Sequence, residues 1–180
     1  MIRLAIIASL AAGVAQPLLA HDHDTDRTLT GPGIALTESA ETGVISGDFR
    51  GLKVRVAPVE EASRCAAGYE GWAERGGVKM PMSLSMENGI ISADFNGFRF
   101  SHAKTLPNEK AYVFYVPLGQ VSVAFDYEAF DGHHMANPVF TVPGRDGDLS
   151  VRVEGEACLR HGLYYAALLY GLGVTAAEAR

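Results

Sequence analysis

The sequence predicts an all-β domain, mainly antiparallel hairpin repeats forming a barrel or a sandwich, with one C-terminal α-helix. Three observations carry this. Apolar and polar residues alternate through most of 52–154, turn-forming Gly pairs recur at short intervals, and one hairpin pattern occurs twice. Thr42-Gly43-Val44-Ile45-Ser46-Gly47-Asp48-Phe49-Arg50-Gly51-Leu52-Lys53-Val54 aligns without gaps on Asn88-Gly89-Ile90-Ile91-Ser92-Ala93-Asp94-Phe95-Asn96-Gly97-Phe98-Arg99-Phe100, identical at six of thirteen positions. Self-similarity of this kind marks the unit from which a fold is assembled.

At the N-terminus, Met1-Ile2-Arg3 supplies a positive start, Leu4 to Val14 an apolar run, and Ala15 or Ala20 a small residue for cleavage. That is the layout of a secretory signal peptide. The expected organisation is a signal peptide over 1–20, a flexible segment over 21–32, a single β-rich domain with its helix over 33–174, and a frayed tail over 175–180. Removing the signal leaves about 160 residues, enough for one self-sufficient core. No lipobox cysteine follows the signal, so the expected location is periplasmic or secreted, without a lipid anchor.

Strands come next. Leu52, Val54 and Val56 oppose Lys53 and Arg55; Ile91, Ala93 and Phe95 oppose Ser92 and Asp94. Val121, Val123 and Phe125 oppose Ser122 and Asp126, and Leu149, Val151 and Val153 oppose Ser150, Arg152 and Glu154. Each such strand has one dry and one wet face. Two-residue turns are expected at Arg50-Gly51, Glu70-Gly71 and Asn96-Gly97, where Gly supplies a positive φ, and further turns at Gly76-Gly77, Asn88-Gly89, Leu118-Gly119-Gln120 and Gly144-Arg145-Asp146-Gly147. Eight to ten short strands follow. Leu159 to Leu172, rich in Leu, Ala and Tyr, reads as a helix packed over a sheet face or one barrel end. Its apolar stretch, Leu163 to Val174, is well short of the roughly 20 residues of a membrane span, so no span is expected after signal cleavage. The strands are also too short for an outer-membrane barrel, which needs about 9–11 residues each.

Loss of Arg3 with the signal leaves 14 basic against 21 acidic residues, a formal charge of −7. That balance argues against nucleic acid or an anionic membrane as partner. The two cysteines, Cys65 and Cys158, are an even count in a chain bound for an oxidising compartment, so a disulfide between them is expected.

Candidate metal ligands fall in three places. Cleavage after Ala20 exposes His21-Asp22-His23, whose free amine, amides and imidazoles suit Cu²⁺ or Ni²⁺. Met80-Pro81-Met82-Ser83-Leu84-Ser85-Met86 concentrates thioethers, soft ligands suited to Cu(I). At period two, however, Val78, Met80, Met82, Leu84 and Met86 share one face, the pattern of a core-facing strand. His133-His134-Met135 reads as a loop. No nucleophile elbow, phosphate-cradling Gly loop or His-Glu-x-x-His helix is present, so a non-enzymatic role is expected. The sequence thus points to an exported β-rich binding protein, with a copper ion as the first ligand to test. His21, His23, Met80, Met82 and Met86 are its ligands, with His133, His134 and Met135 behind them. The alternatives are a barrel whose Met-lined face walls a cavity for a small apolar molecule, and a cell-envelope accessory protein that works by contact.

Overall fold

The computed structural model describes residues 25–59 and 68–178. The alternating segments form β1 (Arg27–Gly31), β2 (Ile34–Glu38), β3 (Ile45–Phe49), β4 (Leu52–Pro58), β5 (Gly68–Arg75), β6 (Val78–Glu87), β7 (Ile90–Phe95) and β8 (Phe98–Leu106). There follow β9 (Ala111–Val116), β10 (Gly119–Asp126), β11 (Ala129–Phe130), β12 (His134–Ala136), β13 (Val139–Val142), β14 (Leu149–Glu154) and β15 (Glu156–Cys158), and then the helix α1 (Leu159–Glu178). Twelve strands close into a barrel in the order β1-β14-β13-β10-β9-β8-β7-β6-β5-β4-β3-β2, while β11, β12 and β15 make a separate small sheet. A barrel, not a sandwich, resolves the expected pair. β1 closes it by lying antiparallel to β14, Leu29 opposite Val153, so the wall has no free edge.

The repeat is a pair of equivalent hairpins, β3–β4 and β7–β8. At their turns Arg50 and Gly51 have φ of 49° and 83°, and Asn96 and Gly97 have 53° and 91°, the paired positive φ that matches strand twist. Asp48 faces Lys53 and Asp94 faces Arg99, an ion pair on the outer wall in each copy. Exposed pairs of this kind add little stability; they keep the outer wall wet. Inside, Ile45 and Phe49 of one copy and Ile91 and Phe95 of the other are buried.

Several expectations are corrected. Glu70-Gly71 is not a turn but the middle of β5: a Cβ on Gly71 would stand 2.0 Å from the Arg55 carbonyl oxygen, so the glycine serves close strand approach. The segment expected to be flexible over 21–32 contains β1, which is fixed by pairing on both sides. The tail expected to fray from 175 is helical to Glu178, with Thr175 and Ala176 buried. The expected Cys65–Cys158 bridge is not found. No cysteine pair stands at disulfide distance among the described residues: Cys158 is a free, buried thiol, its Sγ 3.5 Å from His161 Nδ1, and Cys65 lies outside the described residues.

The largest departure is the helix. It does not lie over a face or an end; it runs through the lumen. Every residue from His161 to Leu172 is buried, as befits a helix that is apolar on all sides. Contacts come from around the barrel. Tyr164 meets Tyr69 of β5 at 5.2 Å between ring centroids, and Tyr165 meets Phe140 of β13 at 6.2 Å. Tyr170 meets Phe100 of β8 at 5.2 Å and Phe114 of β9 at 6.3 Å. Gly171 lies so close to the Phe95 ring of β7 that a Cβ would be 2.5 Å away. α1 is therefore the core of the barrel.

One polar cluster sits in this core. Arg27 of β1 and Glu38 of β2 are 5% and 4% exposed, and Arg27 Nη1 donates to Glu38 Oε2 at 2.8 Å. The Tyr165 hydroxyl donates to the same oxygen, the Tyr69 hydroxyl donates to Oε1 at 3.4 Å, and Arg27 Nε donates to the Glu156 carbonyl at 2.7 Å. Three wall strands (β1, β2 and β5), the small sheet and the helix thus share one carboxylate–guanidinium centre.

Candidate functional site

α1 enters the lumen beside the small sheet and leaves at the opposite mouth, where the β13–β14 connection lies. This geometry decides where the expected site residues fall. His21 and His23 lie outside the described residues. Met80, Met82 and Met86 occupy the inward face of β6 with Leu84. Met82 is 4% exposed and Met80 and Met86 pack against the core, with Met82 opposite Phe95 and Met86 opposite Ile91. The space expected as an apolar cavity behind them is filled by α1.

His133 and His134 come together, their rings edge to face at 4.5 Å. Asp131 organises them: its Oδ1 accepts the backbone N–H of His133 at 2.8 Å and of His134 at 2.6 Å, and its Oδ2 lies 3.3 Å from His134 Nδ1. The backbone N–H groups of His134 and His133, with the His134 ring, lower the Asp131 carboxyl to about 2. Met135 parts from them, because successive strand residues face opposite ways; it is fully buried and its methyl abuts Gly162. Among the described residues, no three His, Cys, Asp or Glu side chains are grouped to hold a metal ion.

A different site forms at the mouth where α1 leaves. Tyr170, Gly173, Val174 and Ala177 on its last turns face Val121 at the start of β10 and Pro143 and Arg145 of the β13–β14 connection, around a cleft of about 420 Å³. Gly173 opens it: a Cβ there would meet no heavy atom within 4 Å. Tyr170 lies deepest, 9% exposed, resting on Phe98, Phe100 and Phe114. Burial pushes its hydroxyl pKa up, so the group stays neutral, and it has no hydrogen-bond partner among the described residues. Arg145 and Glu178 are the charges lining the cleft, and neither forms an ion pair among the described residues. The cleft therefore offers apolar walls, one unused hydroxyl and a guanidinium. Such a volume lies within the usual ~300–1,000 Å³ of small-molecule sites, which combine apolar walls with a few polar groups.

Sequence reasoning missed this site. Arg145 reads only as part of a Gly-flanked turn, and Tyr170 as one member of an apolar run. The available signal was Gly171 and Gly173, two small residues in an otherwise bulky helix segment, each marking a place where the helix surface is either closely met or left open.

Comparison with known proteins finds no matching family model, no similar curated protein and no similar solved structure. The fold and site define the class on their own: a twelve-stranded barrel plugged by its own C-terminal helix, with an apolar cleft where the plug ends. No described helix is long and apolar enough to cross a membrane.

Proposed function

We propose that this chain is an exported, non-enzymatic binding protein that takes a small apolar molecule bearing one acidic group at the open mouth of its barrel. The export reading rests on the signal-like first 20 residues. The ligand reading rests on the mouth cleft, where Val121, Pro143, Val174 and Ala177 supply apolar contact and Arg145 and Tyr170 present unused donors. An aliphatic chain entering between α1 and β10 removes apolar surface from water, and its carboxylate takes the guanidinium at the rim. Charge-assisted bonds to Arg are the strong ones, and Glu178 on the same rim limits the site to a single negative charge.

Decanoate is a suitable probe, and calorimetry reads its binding to the chain lacking residues 1–20. One decanoate is expected per chain. Gly173→Phe fills the cleft from a position with room for a side chain and is expected to abolish the signal with the thermal midpoint unchanged or raised. Arg145→Ala is expected to weaken affinity about tenfold, the loss of roughly 1.4 kcal/mol. Equal decanoate uptake by the wild-type and Gly173→Phe chains would place the ligand elsewhere and overturn the reading. Copper remains a second proposal for His21 and His23, with the Met stripe turned to the core; the same calorimetry with Cu²⁺ tests it.

A further inference from the structure

The outer wall carries a second cleft, independent of the mouth. It measures about 590 Å³ and crosses β6, β7, β8 and β9, with Ser85, Ser92 and Ser101 on its floor, Asp94 and Arg99 at one side and Tyr115 at the end. The register is continuous: Ser85 pairs with Ser92, Ser92 with Ser101, and Ser101 with Tyr115. Three inter-strand steps of about 4.8 Å make the row roughly 14 Å long. Tyr115 is 54% exposed and lines the cleft at the end of the serine row.

The repeat supplies an internal comparison. Ser46 is the equivalent of Ser92, but in that copy Ser46 pairs with Arg55 and Arg55 with Trp72, so a long side chain stands where Ser101 leaves space. Both copies keep the Asp–basic ion pair. The open floor at Ser101 is thus a feature of one copy and not a requirement of the hairpin.

The chemistry of the cleft narrows its occupant. A peptide strand has no edge to join on a closed barrel. A purely apolar molecule would strand the floor hydroxyls without partners, which costs free energy for each one buried. Asp94 is held ionised by the Arg99 hydrogen bond and the Gly97 N–H, so the pair offers no net charge to an anion. It still offers acceptors beside a guanidinium whose Nη groups make no bond among the described residues. What matches is a neutral molecule with hydroxyls along its edge and an apolar C–H face to lie on Tyr115, whose ring has one dry side and one polar end. We propose that this outer cleft binds a neutral sugar chain of a few rings, its C–H face on Tyr115 and its hydroxyls on the serine row and the Asp94–Arg99 pair.

Amide shifts measured by NMR during separate titrations with maltotriose, cellotriose and chitotriose test this. At least one triose is expected to move Ser92, Ser101 and Tyr115 in a saturable way. Ser101→Arg, which copies the first repeat, is expected to weaken that triose at least tenfold while leaving amides on the far wall in place. Tyr115→Ala is expected to act likewise, and Gly173→Phe to change nothing. The proposal is overturned if none of the three trioses moves these amides, or if Ser101→Arg binds as well as wild type.

Discussion

Glu38→Ala is expected to lower stability by about 3–5 kcal/mol, read as a fall in the urea midpoint. The magnitude follows from what is left behind. Arg27 lies in the core beside α1, and one of its nitrogens, Nη2, already has no partner among the described residues. Without the carboxylate, the guanidinium keeps only the Tyr165 hydroxyl at 3.3 Å and the Glu156 carbonyl. Breaking a buried pair by removing one member costs about this much, because a charge stays out of water uncompensated. Total stabilities of domains are about 5–15 kcal/mol, so the substitution consumes much of the reserve. The double variant Arg27→Met, Glu38→Leu removes both charges and is expected to recover most of the loss, since apolar replacement of a buried pair is often neutral. A loss under about 1 kcal/mol in Glu38→Ala would mean that water reaches the cluster.

Two glycines a half-turn apart on α1 are expected to respond with opposite signs. Gly171→Leu forces a branched side chain onto the Phe95 ring, which a Cβ alone would approach to 2.5 Å. Overpacking of this kind costs about 1–3 kcal/mol, with larger values where the neighbour cannot move, and Phe95 is itself 1% exposed and enclosed by the wall. Gly173→Ala meets open space in helical backbone, and is expected to stabilise by about 0.5–1 kcal/mol through the lower entropy cost of ordering alanine. Thermal melts of the two variants read both. The two positions lie about 200° apart around the helix, so the contrast reads a helix packed tightly on its Phe95 side and open at the cleft; equal tolerance of both changes would contradict that packing.

How much was legible in advance follows from what is local. The inward residues Leu52, Val54 and Val56, and Ile91, Ala93 and Phe95, were readable because strand alternation is a property of neighbours, and the Asn96-Gly97 turn because its φ demand is met within two residues. Closure was not readable. The pairings that make a barrel, β1 with β14 and β10 with β13, join residues far apart in sequence, and a sandwich would use the same alternation. The helix carried a signal that its shortness as a membrane span obscured: with no polar side from Gly162 to Leu172, it had to be enclosed. Arg27 falls within the segment expected to be flexible and nothing local marks Glu38, so only tertiary pairing puts them in the core. The mouth cleft depends on where α1 ends against the β13–β14 connection, a juxtaposition of two segments with no shared local pattern. The Met stripe illustrates the reverse: its period-two spacing already described the inward face it occupies.

The claim on which the rest depends is that α1 fills the lumen, leaving the mouth and the outer wall for ligands. Native-state amide hydrogen exchange tests it most directly. Amides whose exchange requires global opening show the full unfolding free energy, and those in loosely docked elements show far less. Residues 163–172 are expected to exchange only through global unfolding, as slowly as the central residues of β3 and β7 and with the free energy obtained from urea unfolding. Exchange of these helix amides by a local opening, well ahead of the strands, would contradict the account: α1 would then be a detachable element, and the barrel would hold together without its plug.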